Sequence, residues 1–373
     1  MEYYLLKEVA SYSNLRTSQI EKTSYISTEN MLPNKGGITF ATSIPNIYSA
    51  SKYEIGDILL SNIRPYFCKI WLANKEGSCS NDVLVLKANE KVVSKFLYYV
   101  LSDKNFFNYD TVTSKGTKMP RGNKNAIMKY LVPKRNVQCQ HRIASILSAY
   151  DSLIENNTKR IRLLEKMAEN LYKEWFVRFR FPGYEKAEME NGLPKGWKVE
   201  RYGEVAAIYA GGDKPKVYSK EISTECNIPI YSNGVENNGL YGFTNKATVK
   251  VSSITISARG TVGFVAIRRI PFVPIVRLLT VVPQKGLDVY YLYFASRNND
   301  LEGNGTSQQQ LTVPMLKKRK VVIPIKELLR EFGNRCSLFY NQIDNLQHQN
   351  TLLARRRDLL LPRLMSGKLE VKP

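Results

Sequence analysis

The sequence is poor in the residues that build metal sites and disulfide frameworks. Its 373 residues include five cysteines and two histidines. The cysteines form no Cys-x-x-Cys pair, and with only His141 and His348 available the usual Cys/His zinc spacings are absent. We therefore expect reduced thiols, no metal and no other cofactor in this chain.

Long hydrophobic runs are also missing. The longest apolar stretch, 270–283, is interrupted by Pro271, Pro274 and Arg277, whereas a membrane-spanning helix needs about 18 consecutive apolar residues. We predict that this stretch forms strands. Residues 1–14 carry charges and no continuous apolar segment, which is not the pattern of a secretory signal. The expected location of the protein is the cytoplasm, with no membrane partner.

Motifs of common enzymes are absent as well. The chain has no Asn-Pro-Pro-Tyr type methyltransferase motif, no Gly-x-x-x-x-Gly-Lys-Ser/Thr phosphate loop and no Pro-Asp dipeptide that could begin a nuclease motif. Its acidic residues are scattered. These absences favour a binding protein, and two alternatives stay open. One is an endonuclease or methyltransferase with an unrecognised active site, and the other is a structural coiled-coil protein whose basic surface is incidental.

Positive charge is what the sequence has in excess. Lys and Arg total 55 against 33 Asp and Glu, which gives a formal net charge of +22. A surplus of this size points to a polyanionic partner, and nucleic acid is the leading candidate. The alternatives on charge alone are a generically basic protein and a membrane-surface binder.

A long internal repeat divides the chain into two similar halves. The strand-like segment 58–64 in the first half matches 254–260 in the second, and the helix-like segment Phe96–Tyr99 matches Val289–Leu292. A loop and a strand follow in each half, so the repeat period is on the order of 190 residues. The repeat predicts two globular domains of mixed strand and helix content.

Each half also contains a stretch without acidic residues, 111–150 in the first and 303–326 in the second. Duplicated acid-free stretches predict duplicated phosphate contacts, and Arg, Asn and Gln are the side chains that read base edges best. The simpler alternative is a solvated basic face with ordinary polar loops. The candidate DNA-contacting residues are Arg64, Lys115, Lys118, Arg121, Lys124, Arg259, Thr306, Ser307, Gln308, Gln309, Gln310, Lys317, Lys318 and Arg319.

Two segments show the apolar spacing of a coiled coil. From 143 to 175 and from 332 to 364, seam residues recur at alternating intervals of four and three. We predict that the two helices pair antiparallel, with Asn157 close to Asn350; the alternative is two unrelated exposed asparagines. The predicted pairing residues are Ile154, Asn157, Ile161, Leu164, Leu346, Asn350 and Leu353.

A helix of about 40 residues is roughly 60 Å long. On B-DNA this corresponds to at most about 17 base pairs. Two domains at the ends of such helices would therefore bind two short sites separated by several unread positions.

Together these features resemble the specificity subunit of type I restriction-modification systems. The resemblance covers nearly the whole chain, and its most specific part is the run 174–183 that closes the first long helix. The supporting motifs are Gly116-Thr117, Leu131-Val132-Pro133, Gln140 with Ile143 and Leu147, Leu193-Pro194 with Gly196-Trp197, and the ending 357–367.

The resemblance implies an α+β fold. It has two mixed α/β target recognition domains in a pseudo-twofold arrangement, separated by two long antiparallel coiled-coil helices. The implied boundaries are 1–137 for the first recognition domain, 138–181 for the central long helix, 182–326 for a linker and the second recognition domain, and 327–373 for the C-terminal helix and tail.

The resemblance also implies a division of labour. The chain would bind double-stranded DNA at a bipartite target and would be non-catalytic itself. Two modification (methyltransferase) subunits that use S-adenosylmethionine would dock on its helices, with Trp175 and Phe176 as docking residues. Restriction subunits, with ATP and Mg²⁺, would complete the assembly.

Overall fold

The computed structural model describes residues 2–298 and 310–369. The chain forms two compact units. Unit 1 comprises Met1–Thr158 and Gln347–Pro373, and unit 2 comprises Lys159–Leu346. Each unit therefore has a globular part and a segment of each of the two long helices.

Unit 1 is built around a four-stranded antiparallel sheet. Its strands lie in the order Ala10–Tyr12, Val83–Ala88, Ile58–Ser61 and Ile70–Leu72. The second sheet has the order Arg16–Thr17, Ala50–Tyr53, Gly77–Cys79 and Tyr25–Ile26, and Tyr3–Leu5 pairs with Leu131–Pro133. The helices are Leu6–Val9, Ser94–Leu101, Lys104–Thr113 and Lys124–Ile127, with a 3-10 turn at Pro65–Phe67.

The inner strand Ile58–Ser61, called the central strand of unit 1 below, is buried on both faces. Side chains alternate between the faces of a strand, so Ile58 and Leu60 join one apolar cluster and Leu59 joins another. The first cluster also contains Phe96 and Phe106 from the helices, and neither ring is exposed. Burial of this apolar surface is the main contribution to the stability of the unit.

Unit 2 repeats this plan. Its four-stranded antiparallel sheet has the order Ala206–Ala210, Leu279–Pro283, Ser253–Ile256 and Val265–Arg268. A three-stranded sheet has the order Leu240–Thr244, Ile228–Tyr231 and Val273–Pro274, and two pairs join Lys198–Arg201 to Lys320–Ile323 and Met189–Glu190 to Leu193–Pro194. The helices are Tyr202–Val205, Val289–Asn298 and Val313–Lys318, with short turns at Lys173–Val177, Tyr184–Lys186 and Glu236–Gly239.

The predicted repeat and the mixed α/β content of both halves are confirmed. Each unit has a buried inner strand, Ile58–Ser61 in unit 1 and Ser253–Ile256 in unit 2. After the remaining strands of the sheet, a helix follows in each unit, Ser94–Leu101 in unit 1 and Val289–Asn298 in unit 2. Residues 270–283 form strands with a turn between them, as their interrupted apolar pattern predicts.

Both long helices predicted from the seam spacing are present. The central helix is Val137–Tyr172, with 36 residues, and the C-terminal helix is Lys326–Ser366, with 41 residues. Within unit 1 their segments run antiparallel, because Asp151 contacts Arg357 while Asn157, further along the first helix, contacts Asn350. The C-terminal helix ends before Gly367, whose φ of +71° suits a helix end.

Candidate nucleic-acid interface

In unit 1, three chain segments meet where the central strand Ile58–Ser61 ends. These are residues 62–64 after that strand, residues 80–82 before the next strand, and the hairpin 115–122. We call them the loop edge of unit 1. Backbone N–H groups join them: Asn62 donates to Asp82 at 2.8 Å, Arg64 donates to Pro120 at 2.8 Å, and Gly122 donates to Asn62 at 3.0 Å.

The loop edge of unit 1 collects most of the basic residues predicted for the first half. Lys115 and Arg121 exchange two backbone hydrogen bonds of 2.9 Å, which close the hairpin and leave both side chains exposed with Lys118 between them. Arg64 begins a short turn in a left-handed conformation, with φ of 51°. Such a conformation is uncommon for a residue other than glycine. The structure thus brings these four cations together, and their DNA contacts stay predictions.

Two further residues modify this cationic surface. Asp82 forms a salt bridge of 3.2 Å with Arg121, so one cation of the hairpin has an acidic neighbour that charge counting did not reveal. Lys124 begins the next short helix, and its carbonyl accepts a hydrogen bond from Tyr12 at 3.1 Å. Because Tyr12 pairs with Leu86 in the main sheet, this contact ties Lys124 to the same sheet.

A buried polar group lies under the hairpin. Asp110 is completely buried, and neither of its carboxylate oxygens has a hydrogen-bond partner among the described residues. Asn62 Oδ1 is buried and unpartnered in the same way. Loss of hydration raises the pKa of Asp110 to about 7. The burial of Asp110 is not predictable from the sequence, because an aspartate in a polar helix sequence is typical of a surface residue.

Unit 2 has a corresponding loop edge at the end of its strand Ser253–Ile256. It consists of residues 257–259, the turn 275–277 and residues 310–311. The Leu311 N–H donates to the Ala258 carbonyl at 3.1 Å, and Arg259 Nη2 donates to Gln310 Oε1 at 3.3 Å. Predicted readers Arg259 and Gln310 are therefore neighbours. The others in that loop, Thr306, Ser307, Gln308 and Gln309, lie outside the described residues.

The predicted basic run of unit 2 is not part of this edge. Lys317 and Lys318 lie on the helix Val313–Lys318, and Lys317 packs against Gly203 while the Arg319 carbonyl accepts from the Tyr202 N–H at 2.9 Å. Tyr202 and Gly203 precede the strand Ala206–Ala210, whose far end pairs with Leu279.

The strand Ala206–Ala210 is about 17 Å long, and the basic run and the loop edge lie toward its opposite ends. The sequence does not place the run relative to Arg259, because a charge run does not reveal which end of the sheet its helix packs against. Any phosphate contact by the run would be a separate one.

The helix-pairing residues occupy the seam positions. Asn157 is 7% exposed, and its Nδ2 donates to Asn350 Oδ1 at 3.0 Å, while Asn350 Nδ2 donates to Thr158 Oγ1 at 3.4 Å. Ile154 and Leu353 are half-buried in the same segment. In unit 2, Ile161 and Leu164 pack against the apolar core, and Leu346 is buried. Each asparagine thus has a hydrogen-bond partner on the other helix, which an apolar residue at that position could not provide.

Trp175 and Phe176 lie inside unit 2. Both rings are buried, and Phe176 packs against Phe332 at 5.0 Å and Tyr291 at 4.8 Å between ring centroids. The helix continues past Tyr172 as a wider turn, which carries both rings inward. A docking partner would therefore meet the surface around these side chains and not the rings themselves. Their role in the structure is to join the end of the central helix to the core.

The described residues contain no cluster of three or more His, Cys, Asp or Glu side chains that could hold a metal ion. None of the helices in the described ranges is long and apolar enough to cross a membrane. What the two loop edges offer is cationic and amide side chains on rigid strand ends, which suits contacts to phosphates and base edges.

Comparison with known proteins agrees with this geometry. A profile of the family described as type I restriction modification DNA specificity domain matches residues 5–166 and again residues 194–354. The MjaIX type I restriction enzyme specificity subunit of Methanocaldococcus jannaschii is 28% identical, over 75% of this chain and 70% of the relative. The HindI specificity subunit of Haemophilus influenzae is 22% identical, over 92% and 94%.

A solved structure shares the fold. The type I restriction-modification S subunit from M. genitalium matches with a TM-score of 0.56 and 16% identity, over 97% of this chain and 95% of that one. The duplicated domain and its paired helices define a DNA-specificity protein. The chain belongs to the type I restriction-modification DNA specificity family and carries two copies of its domain.

Proposed function

We propose that each loop edge binds one half of a bipartite double-stranded DNA target, and that the chain supplies sequence recognition without catalysis. The observation that carries this proposal is the duplication of the same three-segment edge at the end of the central strand in both units. Cations at these edges would contact phosphates, while Arg64, Arg121, Arg259 and Gln310 offer the donors and acceptors that read bases.

The long helices are the proposed docking surface for two modification subunits. On the C-terminal helix, Leu352 and Leu359 of unit 1 are 41% and 57% exposed and lie one heptad apart, and Leu338 of unit 2 is 69% exposed, one heptad before the polar Asn345. Exposed leucines at a regular helical interval suit an apolar contact with another protein. The modification subunits would use S-adenosylmethionine, and restriction subunits with ATP and Mg²⁺ would complete the complex.

Docking can be tested by co-purification. We expect Leu338→Glu and Leu359→Glu to reduce recovery of the modification subunit, because each places a charge in an apolar contact. Gln347→Glu is the matched control, since it adds the same charge at an exposed position on a different side of the same helix. Equal recovery with all three variants would contradict docking on this face.

Recognition can be tested by co-expressing the chain with a modification subunit and mapping methylated sites by long-read sequencing. We expect a split motif, with Arg64→Ala or Arg121→Ala relaxing one half and Arg259→Ala relaxing the other. Lys91→Ala and Lys285→Ala are matched controls, because these exposed cations follow the far ends of strands Val83–Ala88 and Leu279–Pro283. A continuous motif, or relaxation of both halves by one substitution, would contradict the proposal.

The non-catalytic role has its own test. The purified chain alone, incubated with DNA, Mg²⁺ and S-adenosylmethionine, is expected to bind DNA with an affinity that falls as salt rises. Neither strand cleavage nor methyl transfer is expected. Either activity in the isolated chain would assign an active site to it and overturn this part of the proposal.

A further inference from the structure

An exposed turn interrupts one of the most buried stretches of unit 2. Between Phe272 and Val281 every residue is buried except Val276 and Arg277. Both have left-handed backbone conformations, with φ of 54° and 64°. This conformation is a strained one for a β-branched residue such as Val276, and strain of this kind persists only where surrounding contacts hold it.

Backbone contacts hold the turn from one side. The Val276 N–H donates to the Gly212 carbonyl at 2.9 Å, and the Arg277 N–H donates to the Gly211 carbonyl at 3.2 Å. Gly211 is required at this close approach, because a Cβ atom there would lie 2.6 Å from the Pro274 carbonyl carbon. The turn is therefore held rigidly at the end of the sheet.

One amide side chain ties this turn to the strand end that carries Arg259. Asn233 Nδ2 donates to the Val276 carbonyl at 2.7 Å, and Asn233 Oδ1 accepts from the Ala258 N–H at 2.7 Å. The two arginines that follow Ala258 and Val276 are thus presented from neighbouring backbone segments. Asn233 acts as a positioning residue for both segments.

The charge of Arg277 is available for a ligand. No carboxylate of residues 2–298 or 310–369 forms a salt bridge with its guanidinium, and the side chain is exposed. In unit 1 the corresponding turn carries Asp82, which pairs with Arg121. The turn before this sheet strand therefore carries a charged residue in both units, with opposite sign.

We propose that Arg277 is a base-reading residue of unit 2, which contacts a guanine in the major groove and is held in place by Asn233. The inference rests on the proposed function. An arginine fork can donate to both O6 and N7 of guanine, and this paired contact is the commonest specific one that arginine makes with DNA. Rigid presentation from a strand end keeps such a fork in a single orientation.

The test uses the full chain co-expressed with its modification subunit, and the methylated motif is mapped by long-read sequencing. Arg277→Ala is expected to reduce discrimination at one guanine of one half-site by about 10- to 100-fold, with the other half unchanged. Lys285→Ala is the matched control, since it removes an exposed cation that follows the far end of the same strand. It should leave every base preference intact.

Asn233→Asp isolates the positioning role. Aspartate still accepts from the Ala258 N–H but cannot donate to the Val276 carbonyl. This variant is expected to relax the same position as Arg277→Ala. Relaxation elsewhere, or none, would show that Asn233 does not present Arg277.

The failure of this inference is distinct from failure of the proposed function. If the unsubstituted chain yields no split motif, the proposed function itself fails. If it yields one and Arg277→Ala keeps every base preference, with or without a uniform loss of methylation, then Arg277 contacts at most a phosphate and the inference is overturned.

Discussion

Replacing the buried Asp110 with asparagine should make unit 1 more stable at alkaline pH. Asp110 lies on the helix Lys104–Thr113, is 0% exposed, and has no hydrogen-bond partner among the described residues for either carboxylate oxygen. The unpartnered Asn62 Oδ1 lies nearby, on the other side of the space that a Gly122 Cβ would fill. A neutral asparagine can donate a hydrogen bond there, whereas an ionised carboxylate cannot.

The magnitude follows from the pKa. Burial raises the pKa of Asp110 from 3.8 to about 7, a difference of about 3 units or about 4 kcal/mol. The native state binds more protons than the unfolded state between about pH 4 and pH 7. The free energy of unfolding of unit 1 should therefore fall as pH rises through that interval and level off above it. Tyr12 is a titratable group near this carboxyl, and burial raises its pKa further from the neutral range.

The assay is urea unfolding of the wild-type chain and Asp110→Asn at several pH values from 4.5 to 8.5, with hydrogen exchange of peptides from the helix Lys104–Thr113 as a local measure. The stability gain of Asp110→Asn should grow with pH and reach a few kcal/mol above pH 7. Glu90→Gln controls for the loss of an exposed charge in the same unit. A gain that is equal at pH 4.5 and pH 8 would refute the reasoning, because it would show that Asp110 is not protonated in the native state.

Three further substitutions test contacts that the structure describes. Gly122→Ala places a Cβ atom 2.7 Å from Asp110 Oδ1 and 2.9 Å from Asn62 Oδ1, so urea unfolding should show a loss of about 1–3 kcal/mol. Asn157→Leu alone should cost about 1–3 kcal/mol, because Asn350 Oδ1 loses the donor Asn157 Nδ2, whereas the double Leu variant should recover that loss in a double-mutant cycle. Arg357→Ala removes the cation that pairs with Asp151, and we expect thermal unfolding to show a loss of about 2 kcal/mol.

Periodic features of the fold were predictable from the sequence. The alternating apolar residues around Ile58 and the heptad spacing of the two long helices are local patterns, and each depends only on the geometry of its own element. Repetition of these patterns in the second half gave the two-unit plan. The contact between Asn157 and Asn350 followed from two features together. Antiparallel pairing gives the orientation, and one polar residue near the middle of each seam gives the register.

The candidate site was less predictable, because it depends on contacts between distant segments. Asn233 bridges positions 25 and 43 residues further along the chain, and nothing in its local sequence indicates this role. In the sequence, Arg277 only interrupts an apolar run. The hydrogen bonds of Asn233 show that its turn lies beside the strand end that carries Arg259. The sequence places Trp175 at the end of the apolar seam, and the family resemblance implies a docking role for it. The continuation of the helix as a wider turn carries its ring into the core, which the seam spacing alone does not reveal.

Duplication explains both why the two loop edges have a similar arrangement of segments and why their side chains differ. The strands fix the positions of three loop segments in each unit. Backbone hydrogen bonds join all three segments in unit 1, whereas in unit 2 the Asn233 side chain joins the strand end to the turn. Side chains on the segments can then change without cost to the core. Unit 1 pairs an acid, Asp82, with Arg121, whereas unit 2 carries Arg277 and no corresponding acid among its described residues.

A carboxylate on one edge can accept a hydrogen bond from cytosine N4 or restrain its arginine partner, and an unpaired arginine on the other can bind guanine. Exchanging the two charges, with Asp82→Arg in unit 1 and Arg277→Asp in unit 2, should therefore change which bases each unit prefers while leaving both units folded.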